Sequence, residues 1–338
     1  MTNNDILEIK QLIQEPKKIV IVPHKNPDGD AIGSSLGLYH YLKTLNHDVA
    51  VIVPNDYPSF LKWIPGNNSV IVFEVKKNKS EKIIEDADII FTLDFNALRR
   101  TGDMETSLEH SKATKILIDH HQQPDNYAKY IYSDVSICAT SQMIYHFLEM
   151  LDATEDISKD IATCLYVGIM TDTGSFKFPS TTSTTHRVIA ELIDKGADNS
   201  SIHNNVYDTN SYNKLQLLGC ALSNLKVLRT YNTAYITLTE DELQKYQFKK
   251  GDTEGVVNYG LAIEGVKFAV IFIEQKKEGI IKMSLRSKGD FDVNTLAREH
   301  FNGGGHINAA GGRSERPLKD TIRYFKSILP QYKTELNL

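Results

Sequence analysis

A chain of 338 residues is long enough for two domains of ordinary size and somewhat too long for one compact core. Hydrophobic residues make up 41% and charged residues 24%, which argues against wholesale disorder. A net charge of −5 argues against a protein that grips long duplex DNA through a broad basic face, while leaving room for short nucleic acids at a site of different local sign.

The N-terminal stretch "MTNNDILEIKQLIQEPKK" lacks the apolar core of a signal peptide, and no apolar run approaches the ~20 residues that span a bilayer. Cys138, Cys164 and Cys220 are far apart and form no CxxC pair, which suits a reducing compartment better than a disulfide framework or a zinc ribbon. A soluble cytoplasmic protein without membrane contact is expected. "KKIVIVP" (17–23), "DVAVIVP" (48–54), "SVIVF" (69–73), "ADIIFTLDF" (87–95) and "TKILIDHH" (114–121) are strand-like. Between the first two, "DAIGSSLGLYHYLKTLN" (30–46) places apolar residues at helical spacing. Near-continuous apolar strands separated by helices predict a parallel sheet covered on both faces. "ATSQMIYHFLEMLD" (139–152), "SKDIATCLYVGIMTDTG" (158–174) and "STTHRVIAELIDKG" (183–196) read as consecutive helices.

The pattern changes after about residue 200. "SYNKLQLLGCALSNLKVL" (211–228) predicts a helix bridging two domains. Beyond it, "TAYITLT" (233–239), "VKFAVIFIEQ" (266–275) and "IIKMSLRS" (280–287) alternate like strands of a smaller mixed sheet, the last two joined as a hairpin by "KKEG". "DVNTLAREHF" (292–301) and "LKDTIRYFKSIL" (318–329) read as helices. The expected fold is α/β: a parallel-sheet domain over 1–195, a linker and hinge helix over 196–220, and a smaller mixed-sheet domain over 221–338, with a site in the cleft between.

Polar residues gather where the strands end. His24, Asp28 and Asp30 follow the first strand in "VPHKNPDGDAIGS". Asp94 follows the fourth, and Asp119, His120 and His121 follow the fifth. In an open parallel sheet, residues just past the C-terminal strand ends share one edge, where ligands bind. Each motif has an ordinary alternative: Asp28 and Asp30 suit a helix cap, and Asp94 suits a turn. Taken together, two imidazoles and several carboxylates at one edge repel unless a cation lies between them. Such donors suit Mn²⁺ or Mg²⁺ rather than thiolate-seeking metals. Two ions about 3.5–4 Å apart, sharing a carboxylate and a water, would accommodate them and would attract a phosphate.

HxxxDGD at 24–30, Asp94 after a strand, DHH at 119–121, TDTG at 171–174 and "FNGGGHINAAGG" at 301–312 resemble, in kind and order, the DHH phosphoesterase superfamily with its DHH-associated C-terminal domain. The resemblance spans nearly the whole chain. It implies one Mn²⁺ held by His24, Asp28 and Asp94 and a second held by Asp30, Asp94, His120 and Asp172, with Mg²⁺ as the alternative. It implies that Asp119 supports the cluster as a catalytic residue and that His121 faces the scissile phosphate. In the second domain it implies a substrate pocket of Arg286, Ser287, Gly303, Gly304, Gly305 and His306, whose glycines would leave amide donors free for a phosphate. Arg100 is a further candidate contact from the first domain. The resemblance is to the NrnA-like, stand-alone two-domain members. It implies attack by a bridging hydroxide on short oligoribonucleotides and linear dinucleotides, and action on 3′-phosphoadenosine 5′-phosphate. A RecJ-like single-strand DNA exonuclease and a non-catalytic nucleotide sensor are the alternatives. Oligomeric state is left open.

Overall fold

The computed structural model describes residues 1–337 and divides into two units, between Thr209 and Asn210. That division lies inside the stretch 196–220 expected to be a linker and hinge helix. In the first unit, β1 (Lys18–Val22), β2 (Asp48–Val53), β3 (Val70–Val72), β4 (Ile89–Leu93), β5 (Thr114–Asp119) and β6 (Tyr130–Ser133) form one sheet. Their order is β3-β2-β1-β4-β5-β6 and every pairing is parallel. The order turns outward in both directions from the β1–β4 pair, which makes their C-terminal ends the natural ligand-binding crevice.

The helices of this unit are α1 (Asn3–Leu12), α2 (Gly29–Thr44), α3 (Lys77–Glu85), α4 (Glu105–His110), α5 (Thr140–Met150), α6 (Lys159–Asp172), α7 (Ser183–Asp194) and α8 (Asn199–His203). Alternation along the strands sends Ile19, Ile21, Phe91 and Ile118 into a core with α2, α5 and α6. It sends Val20, Val22 and Ile90 to the other face, against Ile84 and Leu108 of α3 and α4. Strand β6 and helices α1, α3, α4 and α8 were not expected. β6 is only four residues long, and α3, "KNKSEKIIE", carries two adjacent apolar residues among charges, too few to set a helical period.

The second unit holds α9 (Tyr212–Ser223), β7 (Lys226–Leu228), β8 (Thr233–Leu238), α10 (Glu240–Lys245), α11 (Val257–Leu261), β9 (Phe268–Gln275), β10 (Ile280–Ser287), α12 (Val293–His300), β11 (Gly304–His306), β12 (Ala309–Ser314), α13 (Leu318–Ile328) and α14 (Lys333–Asn337). The sheet order is β11-β12-β10-β9-β8-β7, mixed as expected: β8 and β9 are parallel, and the other pairs antiparallel. The expected hairpin closes with Ile280 opposite Gln275. One face buries Phe268, Val270, Phe272 and Leu285 against Leu296 and Phe325. The other buries Ile236, Ala269 and Ile271 against Leu217, Leu243 and Val257. The single helix expected over 211–228 is corrected: it ends at Ser223, and residues 226–228 pair with β8. The Asn224 side chain, donating to the Thr237 carbonyl at 2.9 Å, ties that turn to the sheet. All three cysteines are free, and among the described residues no helix is long and apolar enough to cross a membrane.

Candidate metal centre

β1 ends at Val22, and the loop that follows delivers His24 and then Asp28, which caps α2 by accepting from the amides of Asp30 and Ala31 at 3.1 and 3.0 Å. The cap reading of Asp28 is therefore correct, and it leaves the other carboxylate oxygen, Oδ2, 3.8 Å from His24 Nε2. Asp94 follows β4 with φ +64, a left-handed conformation uncommon for a residue with a Cβ. Its Oδ2 lies 3.4 Å from His24 Nε2 and its Oδ1 3.4 Å from His120 Nε2, so one carboxylate faces both imidazoles. Thr140 donates its hydroxyl to the same Oδ1 at 3.0 Å.

His120 stands 3.6 Å from Asp172 Oδ2 and 4.0 Å from Asp30 Oδ2. Asp172 is the last residue of α6, so a helix and not a strand brings it to the sheet edge. Asp30 is 1% exposed, and the amides of Thr140 and Ser141, at the N-terminus of α5, donate to its Oδ2 and Oδ1 at 2.6 and 2.8 Å. Asp119 is fully buried. Its Oδ1 accepts from His121 Nδ1 at 2.7 Å, and its Oδ2 has no hydrogen-bond partner among the described residues. The motif carboxylates and imidazoles of the first unit thus converge: His24, Asp28 and Asp94 form one group, Asp30, His120 and Asp172 a second, and Asp94, Asp119 and His121 a third that shares Asp94 with the first.

The tautomers test whether a metal fits. His24 Nδ1 lies 2.9 Å from the Lys25 carbonyl and His120 Nδ1 lies 3.1 Å from the Ile137 carbonyl. A carbonyl only accepts, so each Nδ1 carries the proton and each Nε2 turns a lone pair toward carboxylates. This is the arrangement of a metal-ligating histidine oriented by a backbone oxygen. Acceptor facing acceptor at 3.4 Å requires a cation between them, either an imidazole proton or a metal ion. The proton affinities express the same demand. Burial lowers His24, but the Asp94 hydrogen bond and the charges of Asp28 and Asp94 overcome it and push its pKa up to about 9. His120 is raised against the same burial by Asp94, Asp172 and Asp30. Asp30 is pushed up by burial and by the charges of Asp94 and Asp172. Burial also opposes ionisation of Asp94, yet its hydrogen bonds from His120 and His24 hold it well below the carboxylate range. Oxygen-rich donors with one imidazole per group fit hard divalent cations.

Small residues outside the motifs make the convergence sterically possible. A Cβ on Gly33 would come 2.5 Å from the Cys164 carbonyl, and one on Gly168 would come 1.8 Å from Ser141 Oγ. Gly33 lets α2 approach α6 closely and Gly168 lets α6 approach α5, which brings Asp30 and Asp172 to the same place. Thr140, Ser141 and these glycines were missed in the sequence; the spacing of small residues in "GDAIGSSLG" and "CLYVGIM" is the signal that points to them.

Arg100 lies in the 3-10 segment Leu98–Met104, its carbonyl accepting from the Lys25 amide at 2.8 Å, and its positive charge acts to lower the His24 pKa. In the second unit, Arg286, Ala309 and His306 stand in register across β10, β12 and β11, so the arginine and the histidine flank a small residue. Ser287 is buried, donating to the Phe291 carbonyl at 2.6 Å and accepting from Asn308 at 2.9 Å, so its hydroxyl shapes the turn. The expectation of a glycine loop with free amides is corrected: Gly304–His306 is an edge strand. The Gly303 amide donates to the Ala297 carbonyl, and the Gly305 amide to Asn294 Oδ1. Glycine is required there for close strand approach, since Cβ atoms on Gly303 and Gly305 would meet the carbonyls of Gly311 and Ala309 at 2.0 and 2.4 Å. Of the aromatics in this unit, Phe268 and Phe291 are core, whereas Tyr259 is exposed.

Known proteins share this arrangement. A family model described as "DHH family, N-terminal domain" matches residues 18–169, and one described as "DHHA1 domain" matches residues 231–330. The chain is 31% identical over 307 residues to the bifunctional oligoribonuclease and PAP phosphatase NrnA of Thermus thermophilus, covering 90% of this chain and 86% of that protein. It is 30% identical to the protein of the same name from Bacillus subtilis, over 87% of this chain and 88% of that one. The crystal structure of an exopolyphosphatase-related protein from Bacteroides fragilis superposes with a TM-score of 0.96 at 42% identity, covering 100% of this chain and 98% of that one.

Proposed function

The chain belongs to the DHH family, with a DHHA1 domain as its second unit, and from that premise we propose that it is a metal-dependent phosphoesterase that hydrolyses short oligoribonucleotides and linear dinucleotides to mononucleotides and also takes 3′-phosphoadenosine 5′-phosphate. The observation that carries the proposal is Asp94, one carboxylate facing His24 and His120 from its two oxygens and so joining two groups of ligands. We assign one Mn²⁺ to His24, Asp28 and Asp94, and the second to Asp30, Asp94, His120 and Asp172. Ions held there would polarise a phosphoryl oxygen and lower the pKa of a water.

The remaining roles fall to the chain itself. Asp119 accepts from His121 Nδ1 and so fixes the orientation of the ring, whose Nε2 is proposed to face the phosphate oxygens of the substrate. Arg100 adds positive charge beside the cluster. Arg286 and His306 are proposed to hold the far end of the substrate, with Gly303, Gly304 and Gly305 letting the edge strand that carries His306 pack closely on β12 and Ser287 fixing the turn beside Arg286. A short substrate with a charged end suits that division. The free cysteines suit a reducing compartment, and we place the enzyme in the cytoplasm.

The test is incubation with Mn²⁺ or Mg²⁺ and end-labelled RNA and DNA oligomers of graded length, from the dinucleotide up. Mononucleotides are expected to be released fastest from the shortest RNAs, with Asp119→Ala slower by about 10²–10⁴-fold. Tight binding of dinucleotides without turnover would identify a sensor instead, and preference for long single-stranded DNA would identify an exonuclease of the RecJ kind.

A further inference from the structure

The residues after Asp172 adopt an unusual backbone. Gly174, Ser175 and Phe176 have φ of +57, +61 and +65. Two consecutive residues with side chains in the left-handed region persist only where their surroundings hold them, and such places cluster at functional sites. The main chain supplies part of that hold. The Ser175 amide donates to the Met170 carbonyl at 2.8 Å, and those of Lys177 and Phe178 to the Thr173 carbonyl at 3.1 Å. The hydroxyl of buried Thr173 donates to the Ile169 carbonyl at 2.7 Å and accepts from the Phe176 amide at 3.0 Å.

The turn is also tied to another element. Ser175 Oγ lies 3.1 Å from His203 Nε2, while His203 Nδ1 lies 2.8 Å from the Asn199 carbonyl. The carbonyl accepts, so Nδ1 carries the proton, Nε2 the lone pair, and the Ser175 hydroxyl is the donor. The ring is walled by Tyr166, Phe176 and Tyr207, with centroids 6.2, 6.4 and 6.0 Å away. His203 ends α8 where the chain widens into the π-helical turn Asn204–Asp208, a feature found frequently at functional sites.

We propose that His203 is a positioning residue for Asp172: through Ser175 it holds the left-handed turn that ends α6 and so aims the Asp172 carboxylate at His120. The inference rests on the reading of Asp172 as a metal ligand. A carboxylate on the last residue of a helix has no following turn to brace it, and here the capping turn is the brace.

Calorimetric titration of the full chain with Mn²⁺, paired with electron paramagnetic resonance to count bound ions, tests this without reference to turnover. His203→Ala is expected to weaken one of the two ions by about 10–100-fold and leave the other unchanged. Ser175→Ala is expected to do the same, and His203→Gln, which keeps an acceptor near Nε2, to restore the affinity. Wild-type protein binding two ions while both alanine variants bind them equally well would overturn the proposal and leave the metal reading intact. Wild-type protein binding no ions would overturn both. Should His203→Ala not fold, Ser175→Ala decides the question.

Discussion

Single residues here are held by partners that settle which proton goes where. His24 and His120 give their Nδ1 protons to backbone carbonyls, and Asp119 takes that of His121. His47, in the turn between α2 and β2, shows the opposite proton preference. It is 1% exposed and accepts the Lys17 amide at Nδ1, so the folded state holds it neutral. Burial lowers its pKa below 6.5; the Ile13 carbonyl opposes that shift and the Lys17 charge adds to it. The unfolded chain therefore takes up a proton that the folded one refuses. Stability from His47 is present above 6.5 and lost as pH falls from there through the lower folded value. His47→Asn, which keeps an acceptor but cannot titrate, is expected to flatten the fall in Tm between about pH 7 and about pH 5. An unchanged slope would contradict this. At this scale the sequence was legible wherever a motif named the residue. Asp172 was the exception in kind, since its place depends on a helix end that apolar periodicity does not locate.

Among elements, α2 and α6 approach closely where Gly33 meets the backbone of Cys164 and Gly168. Gly33→Ala separates two effects of opposite sign. In an open helix the change is favourable by about 1 kcal/mol. At Gly33 the added methyl would lie 2.5 Å from the Cys164 carbonyl and 2.9 Å from the Gly168 amide nitrogen, neither of which can swing aside. Overpacking of this kind costs about 1–3 kcal/mol, so urea denaturation is expected to show a less stable variant. A gain in stability would mean that the helices part freely. The five strands expected in the first unit are all present because apolar β-branched runs mark buried parallel strands directly. Helix α3 and strand β6 escaped notice because exposed charge and short length erase the period. The merging of α9 with β7 into one expected helix has the same origin: in "LSNLKVL" the apolar residues after Ser223 keep a spacing that suits either structure, and only the pairing with β8 decides.

The molecule as a whole has separate cores on either side of Thr209, and all six residues assigned to the metals lie in the first unit. Ligand that binds one unit stabilises that unit by mass action, about 2.7 kcal/mol at a hundred times Kd. Scanning calorimetry with added Mn²⁺ is therefore expected to raise the transition of the first unit, and chelation to lower it. Equal displacement of both transitions would show that the units melt as one. Composition and strand pattern made the two-unit plan readable from the sequence, but the boundary was blurred because helical segments lie on both sides of it and no Gly- or Pro-rich spacer marks it.

Asp30 draws its support from two main-chain amides, and this governs how the site tolerates sequence drift. Any residue but proline supplies an amide, so positions 140 and 141 can vary without loosening their hold on Asp30, and an alanine survey would leave that hold untouched. Proline at 140 is the informative substitution. The first residue of a helix accepts its ring, and Ala139 before it, at φ −161 and ψ 145, already has the extended backbone that proline demands of its neighbour. Set beside Thr140→Val, which removes only the hydroxyl given to Asp94, Thr140→Pro also subtracts the amide given to Asp30. A contribution that substitution histories at this position would otherwise hide becomes measurable.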